Sequence, residues 1–224
     1  MIVYAVISAL LLIVFCTLLI YSEYKKGPKH RYWFKTLASV MFITLGSGMF
    51  WNGGIQAAWP LWIGLCFSLA GDVFLAVFDH KKDLHFFVLG VLGFGAAQIG
   101  YSIYFICAGT WIGWSALIAV MITVASQVGM KMFQIKLTKG MLALVTVYSL
   151  LLSFAFACGL MSMIREFSPK SLIMAVGMGL FLLSDVVLLF KYFYKEAPKC
   201  LTAVNLATYY GAQLLLAMGI GMIW

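Results

Sequence analysis

The chain has 224 residues, of which 64% are hydrophobic and only 10% are charged. A water-soluble domain is nearer half apolar and a quarter charged, so this composition excludes a soluble globular protein and indicates an integral membrane protein. The formal net charge of +8 comes from Lys and Arg residues in short segments between apolar runs, which favours topology and lipid-headgroup roles over nucleic-acid binding.

Eight apolar runs follow one another along the chain, most of them long enough to cross a bilayer as a helix. They lie near residues 2–21, 36–51, 59–78, 86–108, 111–130, 141–163, 171–190 and 201–223. The first run has no basic segment before it and no clear cleavage site, so we predict a retained span rather than a signal peptide. We therefore predict an all-α polytopic transmembrane helix bundle with eight spans, in which residues 1–224 form a single integral membrane domain.

Basic residues alternate between the loops of this predicted bundle. Thirteen of the 15 Lys and Arg residues fall in the loops after spans 1, 3, 5 and 7, and the exceptions are Arg165 and Lys170. The first of these loops holds Lys25, Lys26, Lys29, Arg31 and, at the boundary of span 2, Lys35. By the positive-inside rule these loops are cytoplasmic, so both termini lie on the non-cytoplasmic side.

Tryptophans on the non-cytoplasmic side are typical of interfacial anchors. They are Trp59, Trp62, Trp111, Trp114 and Trp224. The chain shows no targeting segment, and we expect it to reside in a bacterial inner membrane.

A weak internal similarity relates spans 3 and 4 to spans 7 and 8. Span 3 contains Gly71-Asp72-Val73 and span 7 contains Ser184-Asp185-Val186, and Gln98 and Gln213 follow these Asp residues by 26 and 28 positions. Four spans per unit predict a 4+4 parallel internal repeat. Chance similarity between apolar segments is the alternative.

Asp72 and Asp185 lie within apolar runs, about 10 Å from the cytoplasmic end at 1.5 Å per residue. An ionised Asp at depth costs a few kcal/mol unless it meets water, pairs with a cation or becomes protonated. We therefore predict a catalytic acid–base pair, with hydrogen bonding between helices as the alternative. The other acidic residues lie in or beside loops, where water solvates them: Glu23, Asp79, Asp83, Glu166 and Glu196.

Polar side chains recur at helical spacing on several spans, as expected where a helix faces the bundle interior rather than lipid. From this pattern we predict that Gln98, Tyr101, Tyr148, Tyr209 and Gln213 bind the substrate. Lys35, at the start of span 2, is predicted to contact an anionic group of the substrate, and the predicted set also includes Ser184 beside Asp185 and Tyr210 beside Tyr209. The alternative for each is helix packing, or, for Lys35, extension of the ammonium group to the lipid headgroups. The three histidines lie in loops and no hydrolase or nucleotide-binding motif occurs, so we predict no metal and no cofactor.

Two carboxyl groups in an apolar pocket suit proton chemistry, in which one is protonated and the other ionised. A proton or cation pathway would use the same residues differently. A small proton-coupled transporter and a non-catalytic lipid-binding protein are therefore alternatives to an enzyme. The four prolines lie at span ends, which favours a rigid pocket over alternating access.

The two Asp segments, together with Thr208-Tyr209-Tyr210-Gly211-Ala212-Gln213 in the last span, resemble the YhhN family of membrane proteins. The resemblance runs from span 3 to span 8. Characterised members are lysoplasmalogenases, so it implies metal-independent hydrolysis of the vinyl-ether bond of 1-alkenyl lysophospholipids to a fatty aldehyde and a glycerophospho-headgroup. In that family the polar position of span 4 is often histidine, whereas here it is Gln98, which cannot shuttle a proton.

The resemblance also implies how such a substrate would bind. A lysophospholipid would enter sideways from the cytoplasmic leaflet, with its chain among the membrane lipids and its phosphate near Lys35 or Arg31. Asp72 and Asp185 would be the acid and the base, in an order that the sequence leaves open.

Overall fold

The computed structural model describes residues 2–25, 28–53, 56–194, 198 and 200–222. These residues form α1 (Ile2–Lys25), α2 (Pro28–Gly53), α3 (Trp59–Lys81), α4 (Leu84–Cys107), α5 (Ile112–Met132), α6 (Lys139–Arg165), α7 (Pro169–Phe193) and α8 (Cys200–Ile220), with a short 3-10 helix at Gln56–Ala58. All eight α-helices are long and apolar enough to cross a membrane. The prediction of an all-α bundle with eight spans is confirmed. Some residues used in the predictions lie outside the described part, or their side chains do: Lys25, Lys26, Lys29, Arg31, Lys195, Glu196, Lys199 and Trp224.

Short polar side chains define where several helices begin. Asp83 precedes α4, and its carboxylate accepts a hydrogen bond from the backbone N–H of His85. Ser168 precedes α7 and exchanges hydrogen bonds with Ser171, while Pro169 occupies the first helical position. These residues satisfy N–H groups that have no partner within the helix. Each of these two helices therefore begins a few residues before its apolar run.

Sequential helices pack side by side. The close pairs along the chain are α1–α2, α2–α3, α3–α4, α5–α6, α6–α7 and α7–α8, and the pairs α2–α8 and α4–α6 close the bundle. Adding four to each number in α1–α2, α2–α3 and α3–α4 gives a second observed pair, and exchanging the two halves (α2 for α6 and α8 for α4) converts α2–α8 into α4–α6. This recurrence is what two four-helix halves would produce, and it agrees with the internal similarity of the sequence.

Glycines allow α3 and α4 to approach backbone to backbone. A Cβ atom on Gly93 would lie 3.1 Å from the backbone nitrogen of Gly71, and one on Gly100 would lie 2.7 Å from the carbonyl oxygen of Pro60. Small residues at such contacts are typical of helix pairs in membranes, because close backbones gain dispersion energy. The contact fixes α4 beside the helix that carries Asp72.

Aromatic side chains fill the centre of the bundle. Phe94 and Tyr101 of α4, Phe181 of α7, and Tyr209 and Tyr210 of α8 form a chain of edge-to-face contacts with ring centroids 5.0 to 6.3 Å apart. Aromatic rings prefer this geometry over face-to-face stacking. The rings form a rigid partition in the part of the bundle that holds the two intramembrane carboxyl groups.

Candidate functional site

Asp72 of α3 lies inside the bundle with polar partners on both carboxylate oxygens. Its side chain is 1% exposed, and the ammonium group of Lys35 lies 3.3 Å from Oδ1. Ser39 and Tyr209 donate hydrogen bonds to Oδ2 at 2.7 and 2.6 Å. A cation and two hydroxyl donors stabilise the ionised form of the carboxyl group.

Helix α2 supplies the cation from within the bundle. It begins at Pro28, so the prediction that Lys35 lies in a loop at the edge of span 2 is wrong, and the residue is 6% exposed. Ser39 lies one turn further along α2 and donates to the carbonyl oxygen of Lys35, as does Tyr210 at 3.1 Å. The ammonium group therefore contacts an anion of the protein itself rather than extending to the lipid headgroups.

Asp185 of α7 has a different environment. Its carboxyl group is partly buried and accepts a hydrogen bond from the hydroxyl group of Tyr148 on α6. No ammonium or guanidinium group of the described residues lies within ion-pair distance of it.

An apolar cavity of about 110 Å³ lies beside Asp185. Thirteen of its 18 lining residues are apolar side chains of α3, α4, α5, α6 and α7. The polar residues of the lining are Ser126, Tyr148, Ser149, Asp185 and Tyr192. A carboxyl group on the wall of such a cavity can face the hydrocarbon part of a ligand.

A set of neutral polar groups occupies the interior of α3, α4 and α8. The hydroxyl group of Tyr101 lies 2.9 Å from the Ser68 hydroxyl and donates to Oε1 of Gln213 at 3.4 Å. Gln98, one turn before Tyr101 on α4, is fully buried. Ser68 lies one turn before Asp72 on α3, so this set of neutral polar groups adjoins the Asp72 site.

The two carboxyl groups meet their α2 and α6 partners at equal sequence intervals. Lys35 precedes Asp72 by 37 residues, and Tyr148 precedes Asp185 by 37 residues. Matching positions in the two halves of the chain therefore carry a cation in one case and a phenol in the other, and this difference gives the two Asp residues unlike surroundings.

A model of the YhhN family matches residues 30–220, which include every predicted site residue. The chain belongs to the YhhN family. A comparison with curated proteins finds no match, and a comparison with solved structures finds none.

Ser184 contributes to helix packing in this YhhN protein. Its hydroxyl group and carbonyl oxygen both accept hydrogen bonds from the amide nitrogen of Asn205, at 2.8 and 2.9 Å, and its hydroxyl group lies 3.3 Å from the Asn205 carbonyl oxygen. The pair joins α7 to α8 next to Asp185. Its contribution to substrate binding remains a prediction.

Asp79 was missed as an intramembrane polar group. It was predicted to be solvated beside a loop, but it lies in the last turns of α3, is 7% exposed and accepts a hydrogen bond from Tyr192 at 3.0 Å. Rings of Phe78, Phe87 and Tyr192 pack around this position. Of these aromatic residues only Phe78 flanks Asp79 in the sequence, and Phe87 and Tyr192 reach this position through the fold, so the sequence offered little signal for its burial.

The histidines of the described residues form no metal centre. No group of three or more His, Cys, Asp or Glu residues suitable for a metal ion occurs in the searched part of the chain. His85 pairs with Asp83 at the surface, and its hydrogen bonds hold the pKa of the Asp83 carboxyl group below its usual value. That pair is explained by the start of α4.

Proposed function

We propose that this YhhN protein is a membrane hydrolase that cleaves the vinyl-ether bond of lysoplasmalogens, giving a fatty aldehyde and a glycerophospho-headgroup. The observation that carries the proposal is the contrast between the two intramembrane carboxyl groups. Asp72 is paired with Lys35, whereas Asp185 faces an apolar cavity beside Tyr148.

This contrast suggests the order of acid and base that the sequence left open. An ionised carboxyl group is costly in apolar surroundings without a cation, so we assign Asp185 as the proton donor. Asp72 keeps its charge beside Lys35 and supplies negative potential to the site, which favours a positively charged intermediate. One ionised and one protonated carboxyl group is the division that acid-catalysed cleavage of an enol or acetal ether requires.

The reaction needs only a proton donor and water. Asp185 transfers its proton to the alkene carbon that does not carry oxygen, and the alkene electrons form the new C–H bond. The ether oxygen shares the resulting positive charge as an oxocarbenium ion. Water adds to the oxygen-bearing carbon and returns a proton to Asp185, and the hemiacetal then breaks its bond to the glycerol oxygen to leave aldehyde and alcohol.

The cavity suggests the orientation of the lysolipid. It extends along α5 to Met130 and along α7 to Tyr192 and Phe193. The adjacent residues Lys131 and Lys191 belong to the basic end of the bundle. Because Lys35 contacts Asp72, we place the phosphate at that end instead. The vinyl ether then lies at Asp185, with its chain against the apolar wall.

The test is to supply the purified protein with 1-alkenyl lysophospholipid and measure aldehyde release, with the 1-acyl analogue as the matched substrate that lacks a vinyl ether. We expect Asp185→Asn to lower the rate by about 10²- to 10⁴-fold, the usual contribution of a general acid. Asp72→Asn is expected to lower it as well, because the potential that favours the cation is lost. Asp83→Asn is the control, since that carboxylate is at the surface.

Two outcomes would count against the proposal. Full activity in both Asp72→Asn and Asp185→Asn would remove the carboxyl groups from the mechanism. Absence of aldehyde from the wild-type protein, with proton-coupled flux into liposomes, would instead support a carrier, a function that the recurrence of helix pairs in the two halves also suits.

A further inference from the structure

Two buried glutamine side chains carry amide groups without protein partners. Gln98 of α4 and Gln213 of α8 are both 0% exposed. Among the residues that the structure describes, neither amide atom of Gln98 has a hydrogen-bond partner, and Nε2 of Gln213 has none. Together these atoms offer two N–H₂ groups and one carbonyl oxygen inside the bundle.

Both amide groups lie at the site that holds the carboxyl groups. The Gln98 amide approaches the Tyr148 hydroxyl group without reaching full hydrogen-bond geometry, and that hydroxyl donates to Asp185. Gln213 accepts from Tyr101, which lies one turn from Gln98 and whose hydroxyl group is 2.9 Å from that of Ser68, one turn before Asp72 on α3. The unpaired amide atoms therefore adjoin the residues that carry both carboxyl groups.

A lipid chain cannot satisfy these amide groups, because it has neither donors nor acceptors along its length. Buried amides in folded proteins nearly always have a partner, and where protein supplies none the partner is ordered water. The cavity beside Tyr148 has about 110 Å³ of free space, which is more than one water molecule needs. Neither glutamine lines this cavity, but the Gln98 amide approaches the Tyr148 hydroxyl group, so water in the cavity can meet that amide at Tyr148.

We propose that Gln98 and Gln213 bind water inside the bundle and position it to add to the oxocarbenium ion at Asp185. The binding site follows from the open amide groups alone, whereas the catalytic use of the water rests on the proposed function. Gln98 and Gln213 are positioning residues in this scheme: they exchange no proton with the substrate. An amide suits this position because it can donate to the water oxygen and accept from its hydrogen without competing for the proton of Asp185.

The water site can be tested without substrate by X-ray hydroxyl-radical footprinting of the protein in lipid nanodiscs. Radicals form from bound water, so a buried aromatic residue beside water is oxidised and one in a dry core is not. Tyr101 and Phe42 are both 0% exposed, and we expect oxidation of Tyr101 to exceed that of Phe42 on the order of tenfold if water lies beside it. Gln98→Leu with Gln213→Leu should remove most of the difference.

The control variant is Gln127→Leu. Its amide nitrogen donates to the Thr146 hydroxyl group at 3.0 Å, so its removal should leave the oxidation of Tyr101 unchanged. Equal protection of Tyr101 and Phe42 in the wild-type protein would overturn the water site.

The melting temperature gives a second reading that does not depend on oxidation chemistry. If the Gln98 amide were dry, Gln98→Leu would delete an unpaired polar group and raise the melting temperature. If water satisfies the amide, the same change lowers it or leaves it unchanged. An increase would contradict the proposal.

The catalytic role is tested by turnover in D₂O with analysis of the recovered alkenyl lipid. When water captures the oxocarbenium ion promptly, few intermediates lose a proton back to the carboxylate, and the recovered substrate carries little deuterium at the protonated carbon. We expect several-fold more deuterium with Gln98→Leu, and an unchanged deuterium content would refute positioning of the water. Absence of aldehyde from the wild-type protein would end the proposed hydrolysis, while the footprinting result would still decide the water site.

Discussion

Asp72 and Asp185 occupy matching positions in two similar segments, yet the residue 37 positions before each one differs. Lys35 neutralises Asp72, whereas Tyr148 donates a single hydrogen bond to Asp185. A second position also differs between the two segments. Ser39 lies 33 residues before Asp72 and donates to it, whereas Leu152 lies 33 residues before Asp185 and lines the cavity. These two differences, Lys35 against Tyr148 and Ser39 against Leu152, give Asp72 an ion pair and place the Asp185 carboxyl group beside an apolar cavity.

We expect the effects of substituting Lys35 and Asp72 on the free energy of unfolding to depend on each other. Lys35→Met leaves a carboxylate inside the bundle without its cation, which should lower the free energy of unfolding by about 3 to 5 kcal/mol, the usual cost of breaking a buried pair. Asp72→Asn leaves the Lys35 ammonium group inside the bundle without its anion and should have a similar effect. In the double variant both charges are absent, so we expect a loss smaller than the sum of the two single losses.

The measurement is denaturant unfolding in detergent for the two single variants and the double variant. Strictly additive losses would show that the two side chains act independently. Lys131→Met is the matched control, because that lysine is exposed and should change stability little.

The sequence indicated the two Asp residues, and the polar residues around them, because charge and polarity are rare in apolar runs. The partners were harder to predict. Helical spacing groups Tyr209 with Asn205 and Gln213 on one polar stripe of α8. No local pattern shows that Tyr209 contacts a carboxylate 137 positions earlier in the chain, or that Tyr210 donates to the Lys35 carbonyl oxygen. Which tyrosine meets the carboxylate depends on the rotation of α8 within the bundle.

At the scale of elements, the close packing of α3 on α4 depends on the absence of a Cβ atom at glycine positions. Gly100→Ala would place a methyl group 2.7 Å from the Pro60 carbonyl oxygen, and backbone atoms there cannot move aside without separating the helices. We expect a loss of about 1 to 3 kcal/mol in unfolding free energy, typical of an overpacked core.

Gly129→Ala is the matched control for this change, since a Cβ atom there meets nothing within 4 Å. It lies within α5 and should raise stability by up to about 1 kcal/mol, because alanine favours the helix over glycine. Thermal unfolding of both variants in the same detergent checks the opposite signs. Equal effects would show that helix propensity rather than close packing governs both positions.

Helix ends were less well predicted than helix existence. Apolar runs show where a helix crosses the membrane, but α2 starts at Pro28 and α7 continues to Phe193, through polar residues that hydropathy assigns to loops. Asp79 and Lys35 were both placed outside the bundle for this reason. Hydrogen-bond partners on other helices, which a single sequence does not reveal, keep such residues in the interior.

At the scale of the whole molecule, one exception to the alternation of basic loops has a structural explanation. Lys170 lies in the first turn of α7, is 1% exposed, and its ammonium group lies 5.9 Å from the centre of the Tyr104 ring. The folded bundle thus accommodates this lysine by packing it beside an aromatic ring. Lys170 and Arg165 remain the two exceptions to the alternation of basic loops.

The remaining bias predicts the orientation of the bundle. An even number of spans puts both termini on one side, opposite the loops after α1, α3, α5 and α7, which carry most of the basic residues. We expect alkaline phosphatase fused after residue 224 to be active and green fluorescent protein at the same position to be dark in a bacterial host. Fusions after residue 136, between α5 and α6, should give the reverse pattern. Fluorescence at the C-terminus would place the basic loops outside, and it would also reverse the leaflet from which the proposed lysolipid substrate would reach Asp185.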